Sequence, residues 1–170
     1  MDIYAIVLRL IHILAGVFWA GGVVMLAGFI EPTVKSVAPE GNKFMQRLMG
    51  GKLTPLLTLA GPLNILAGLL LYLKDSGGLN VAWITSPVGL GFTFGALVGL
   101  VALGIGLFVS RPAATGLAAI GKEIQAGGKP PSPEQMGRIA KLQGQLSQAT
   151  VWTAILLTLT LIAMASSRYL

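Results

Sequence analysis

Apolar residues gather into four long runs along this chain, separated by shorter polar stretches. The first run extends from about Ile3 to Ile30, the second from Leu53 to Leu73, the third from Val88 to Val109 and the fourth from Leu146 to Ala165. A helix needs about 20 apolar residues to cross the hydrocarbon core of a bilayer, and each run is long enough. The first exceeds that need, which predicts tilt or an extension beyond the bilayer. Four sequential crossings predict an all-α, integral membrane four-transmembrane-helix up-and-down bundle, with residues 1–170 forming a single membrane domain.

The polar stretch between runs three and four carries its own helical signals. Residues Pro112 to Ala126 predict a helix that continues span three, ended by Gly127-Gly128-Lys129-Pro130-Pro131. Ser132 then offers an N-cap, with Pro133 at the first helical position and Gln135 three residues after the cap. A cytoplasmic helical hairpin, about 112–145, is therefore expected to extend spans three and four. Its polar face (Glu134, Arg138, Lys141, Gln145, Gln148) reads as solvated surface. The other use open to it is docking on anionic lipid or a protein partner.

Charge sets an expected orientation. Lys35, Lys43, Arg47 and Lys52 lie between spans one and two, and Arg111, Lys122, Lys129, Arg138 and Lys141 between spans three and four. The loop between spans two and three has only Lys74, and the C-terminus only Arg168. The positive-inside rule puts both basic loops in the cytoplasm and both termini outside. Tyr4, Tyr72, Trp83 and Tyr169 then fall at the outer interface, where amphipathic rings prefer to sit. The N-terminus lacks the basic n-region of a cleavable signal and its apolar run is too long for one, so it is expected to stay as a helix.

Composition narrows the chemistry. Charged residues make up 11% of the chain, against about a quarter in soluble domains. The net charge of +6 reports topology rather than nucleic-acid binding. The absence of cysteine excludes disulfides, thiolate iron–sulfur ligation, covalent c-type haem and Cys-based zinc. No carboxylate lies within the spans and no Ser or Thr has a second histidine nearby, so nucleophilic catalysis and transport both rank low.

Small residues predict close helix packing. Gly91, Gly95 and Gly99 repeat every four residues on span three, with Gly106 near the same face, and span one offers Gly16, Ala20, Gly21 and Gly22. Packing inside the bundle is the plain expectation; a homodimer face or a wall against a flat cofactor would use the same pattern. Pro62 is expected to kink span two by removing its hydrogen bond to Thr58. Asn64 needs a partner at depth and should face the interior. Glu31-Pro32 is expected to close span one, with Glu31 pairing to Lys35 four residues on.

One ionisable residue stands deep in an apolar run: His12, the chain's single histidine. Such a group is costly in a membrane and marks a candidate site. Arg9, His12, Gly16 and Trp19 share a helix face by their spacing. From Tyr4 at the interface, His12 lies about 12 Å in, at 1.5 Å per residue. Arg9 is one turn above, able to snorkel, and Gly16 one turn below. The face suits a haem b, with His12 as axial ligand, Gly16 admitting the ring and Arg9 near a propionate. Copper suits it less, since copper wants more soft or imidazole ligands; Met164 on span four is at a depth that would let it pair with His12. A neutral His12 hydrogen-bonded to a neighbouring helix, for example to a Thr of span four, fits equally.

The stretch His12-Ile-Leu-Ala-Gly-Val-Phe-Trp19-Ala-Gly21-Gly resembles the first helix of the CopD-like membrane proteins. That group includes the copper-resistance protein D family, the HemJ-type protoporphyrinogen oxidases and uncharacterised bacterial relatives. The shared look is a His followed seven residues later by Trp-x-Gly. The C-terminal stretch from Pro130-Pro-Ser-Pro through Arg168-Tyr-Leu is similar to the same bacterial members. The resemblance implies four spans in a bacterial cytoplasmic (inner) membrane and either copper handling or haem b bound by the helix-one His. The HemJ type also implies a Lys on a later helix that assists oxidation; span three, from Val88 to Val109, has none. The expected function is haem b binding with electron transfer or related redox chemistry. The alternatives are a non-enzymatic subunit of a larger membrane complex, a homodimer among the partners, and a copper-handling protein.

Overall fold

The computed structural model describes residues 2–38, 40–128 and 130–169; the Lys129 named above lies outside them. Four long helices form the body: α1 (Ile3–Ser36), α3 (Leu53–Asp75), α5 (Pro87–Gly127) and α6 (Pro133–Tyr169). Each is long and apolar enough to cross a membrane. Two shorter helices join them, α2 (Glu40–Gly50) and α4 (Val81–Ile84). Among the described residues there are no strands.

The crossings are antiparallel. Gly16 faces Asn64 while Gly22 faces Leu57, Gly61 faces Leu103 while Gly99 faces Ile65, and Gly91 faces Ser167 while Gly99 faces Thr160. The chain thus runs up and down, and both termini share one end. The core draws on all four long helices: Trp19, Ala20 and Val23 meet Ala60, Ala102 and Leu157. Outward faces are apolar as well, with Leu14 and Val17 exposed at 69% and 67%.

Two helices extend past their apolar runs by the same device. Glu31-Pro32 is expected to close the first crossing with an extension beyond it, and α1 runs on through them to Ser36. Pro32 has no N–H and its ring crowds the carbonyl four residues back. A π-turn over Leu26–Ile30 relieves this by letting the Glu31 N–H reach five residues back, to the Leu26 carbonyl. The same turn over Gly106–Ser110, with Arg111 N–H bonded to Gly106, carries α5 past Pro112. Both lie at the basic-loop end. Pro62, expected to kink span two, sits inside an unbroken α3.

The hairpin beyond span three forms as its signals predict. Gly128, at φ 59°, ends α5 in the left-handed region. Ser132 and Gln135 form a full capping box, and α6 then runs without a break into span four. Gly116 leaves room for Leu142 across the hairpin, and Ile120 is buried there. The first basic stretch, a loop by its charges alone, is filled by α2. Phe44, Met45, Leu48 and Met49 fall on one arc and Asn42, Lys43, Gln46 and Arg47 on the other, an amphipathic pattern in plain view.

At the terminal end, Gly77 and Gly78 (φ 61° and 81°) turn the chain out of α3, and the Leu79 N–H donates to Ser76 Oγ at 2.9 Å. Two of the aromatics expected at the interface meet here: Tyr72 and Trp83 stand edge to face at 5.3 Å, and Trp83 stacks on Phe92.

Candidate functional site

His12 lies where α1 crosses α3, and two glycines make that crossing close. A Cβ on Gly68 would stand 2.8 Å from His12 Cε1, and a Cβ on Gly16 2.7 Å from Asn64 Nδ2. Each glycine thus makes room for the polar side chain opposite. The Asn64 amide donates to the His12 backbone carbonyl at 2.6 Å, and Nδ1 of His12 lies 2.9 Å from the Asn64 carbonyl oxygen. Asn64 is buried, as its polarity at depth required, and no buried side-chain N or O among the described residues lacks a partner.

The 2.9 Å contact bears on the ring's tautomer. A backbone carbonyl only accepts, so this contact is a hydrogen bond in the tautomer that carries the proton on Nδ1. Asn64 Nδ2, 3.2 Å from Nδ1, would donate to it in the other tautomer; its shorter bond goes to the His12 carbonyl. In the neutral ring, a proton on Nδ1 leaves Nε2 with its lone pair. Nε2 makes no hydrogen bond among the described residues. Histidines that ligate metals commonly show this arrangement, with one nitrogen donating to a carbonyl and the other coordinating.

The remaining expected site residues go to different places. Arg9 turns to Asp75, Nη2 to Oδ2 at 3.7 Å, with both side chains about half exposed. Beside this pair Lys74 bonds Asp2 at 2.7 Å. The Lys74 hydrogen bond holds the Asp2 carboxyl below its ordinary range, and the same bond raises Lys74. Gly16 is filled by the Asn64 amide rather than left open. Trp19 is buried in the core, its ring against Gly61. Met164 packs on Gly95 of α5, in the seam between α5 and α6.

Three side-chain expectations change. The partner of His12 is Asn64 on span two, not a Thr of span four; Thr153, Thr158 and Thr160 bond the carbonyls of Ala149, Ala154 and Gly95. Glu31 and Lys35 do not pair directly. Lys35 donates to Ser147 Oγ at 3.1 Å and Ser147 donates to Glu31 at 2.7 Å, tying the end of α1 to α6. Gly106 meets nothing within 4 Å, so it stands apart from Gly91, Gly95 and Gly99, which pack inside the bundle. Gly68 was not singled out from the sequence; its signal was the four-residue step from Asn64, which puts both on one helix face.

Among the described residues no group of three or more His, Cys, Asp or Glu could hold a metal. A metal at Nε2 would therefore need a macrocycle or other outside ligands. Two grooves mark the surface, one between the end of α1 and α2 and one between α1 and α6; neither includes His12. The fold and the site define an all-helical bundle with four helices apolar enough for a membrane and one histidine clamped between two of them. Comparison with protein-family models, with curated proteins and with solved structures finds no match to this chain.

Proposed function

We propose that this chain is a multi-pass protein of the bacterial inner membrane, with both termini outside, that binds haem b through Nε2 of His12 and serves electron transfer rather than substrate turnover. The observation that supports this most is the clamp on Nδ1, which presents Nε2 as a lone-pair donor. Haem supplies its own four equatorial ligands, which answers the lack of a protein ligand cluster around the ring. Arg9, one turn from His12, is held only by a long, half-exposed contact to Asp75, so it is free to exchange toward a propionate. The orientation rests on the basic loops, and the haem reading on the CopD-like first-helix resemblance.

The test is an absorption spectrum of protein expressed with haem supplied. A Soret band should be present in wild type and absent in His12→Ala. Colourless wild-type protein overturns the reading.

A second reading, a non-enzymatic subunit of a larger membrane complex, draws on the groove between α1 and α6. Val24, Ala27 and Gly28 line one side, Val151, Ala154 and Thr158 the other, around about 360 Å³. Small residues on an outward face admit a further helix. An unrelated complex recovered with the chain in mild detergent would support it. A monodisperse chain without partner would count against it.

A further inference from the structure

Where α1 ends, α2 folds back against it and leaves a groove of about 500 Å³. Phe29, Ile30, Val34 and Val37 form one wall, and Gly41 and Phe44 the other. The approach is close because Gly41 sits against the Val34 carbonyl, where any Cβ would overlap. The apolar lining is left open: Phe29 is 69% exposed and Phe44 55%.

Charge lies beside this groove in a definite order. Lys43 and Arg47, four residues apart, flank Phe44 along one edge of α2, and Lys52 follows just beyond its end. Among the described residues neither Lys43 nor Arg47 makes an ion pair or side-chain hydrogen bond. Lys35, by contrast, is engaged by Ser147. The one acid at the rim, Glu40, sits in the first turn of α2, where the helix dipole favours it. An apolar cleft with two free cations beside it has the two-part chemistry of a phospholipid with net negative charge.

We propose that this groove seats an acyl chain of an anionic phospholipid whose phosphate rests on Lys43 and Arg47. The site depends on the membrane reading of the four long helices. The hairpin cations Arg138 and Lys141 are not part of it.

The test uses the full chain in mild detergent with equimolar phosphatidylglycerol and phosphatidylcholine, and native mass spectrometry to count retained lipid. Wild type should keep phosphatidylglycerol over phosphatidylcholine by about thirtyfold, given roughly 1 kcal/mol for each of the two cations near such a headgroup. Lys43→Gln with Arg47→Gln should bring that ratio near one, while Arg138→Gln with Lys141→Gln should leave it unchanged. Phe44→Ser keeps the cations and should lower retention of both lipids. Equal retention by wild type, loss only in the hairpin variant, or full retention in Phe44→Ser overturns the proposal. Alkaline carbonate extraction from membranes separates the two failures. Chain released by carbonate defeats the membrane reading; chain that stays inserted without lipid preference defeats only the groove.

Discussion

Where α1 crosses α3, an imidazole and a side-chain amide meet across Gly16 and Gly68 and are tied by hydrogen bonds of 2.6 and 2.9 Å. Where α5 crosses α6, Gly91, Gly95 and Gly99 receive Ser167, Met164 and Thr160, and among the described residues the one side-chain hydrogen bond across the seam is a long 3.4 Å from Thr160 to the Gly95 carbonyl. Both seams use small residues to bring backbones close, which is how helices associate when lipid is as apolar as leucine. The first seam adds directional polar contacts and the second relies on shape. Only the first therefore holds an imidazole by hydrogen bonds. Directional contacts and shape are divided between the two halves of the bundle.

The largest expected effect tests the glycines. Gly68→Leu drives a side chain into the His12 ring, 2.8 Å from Cε1 and 3.0 Å from the hydrogen-bonded Nδ1, and should cost about 3 kcal/mol in detergent-based unfolding. Gly95→Leu meets chiefly the flexible Met164 chain, with the Thr160 carbonyl behind it at 3.5 Å, and should cost about 1 kcal/mol. Equal costs would break the contrast between a pinned seam and a compliant one.

Next come the polar contacts themselves. Asn64→Ala should lose about 1–2 kcal/mol, since it leaves the Nδ1 donor in place but removes the amide that ties α3 to α1. Thr160→Val should lose less than about 0.5 kcal/mol, because a 3.4 Å bond contributes little. A double mutant with His12→Ala would sharpen the point: coupling to Asn64 is expected, and coupling to Thr160 is not.

The smallest effect concerns the terminal end of the first seam, where Asp2 and Lys74 meet. The Asp2 carboxyl is held below its ordinary value of 3.8. A depressed carboxyl stabilises the fold above its unfolded pKa and loses that contribution as pH falls through its folded value. The latch therefore holds at neutral pH and slackens below about pH 4. Amide exchange in the first turn of α1, corrected for intrinsic rate, should rise on acidification in wild type and stay flat in Asp2→Asn. The opposite sign would show that the latch is not set by this carboxylate.

The four long helices were legible because length and hydropathy alone decide them, and the hairpin because glycine, proline and a capping box mark its turn locally. Two boundaries were not. Pro32 marks the end of the first apolar run, but no local rule announces the π-turn that carries the helix past it. The cations of α2 mask its period, although the Phe44–Leu48 and Met45–Met49 steps stand in the sequence. Asn64 declared its need for a partner but not which one, since that depends on which helices become neighbours. His12 was found for the same reason it was ambiguous: polarity at depth is visible in a sequence, while the atom facing each ring nitrogen is a property of packing.

The π-turns at Leu26–Ile30 and Gly106–Ser110 each hold one residue more than the α-helix around them would need. The wide turn takes up that residue locally, so the helix beyond it keeps nearly the direction that an α-helix one residue shorter would give. Deleting a single codon within 26–30 should therefore leave Glu31 and Lys35 near Ser147, while pressing the Pro32 ring against the carbonyl four residues back. Each of these two places absorbs a residue without re-aiming the extension that grows from the helix.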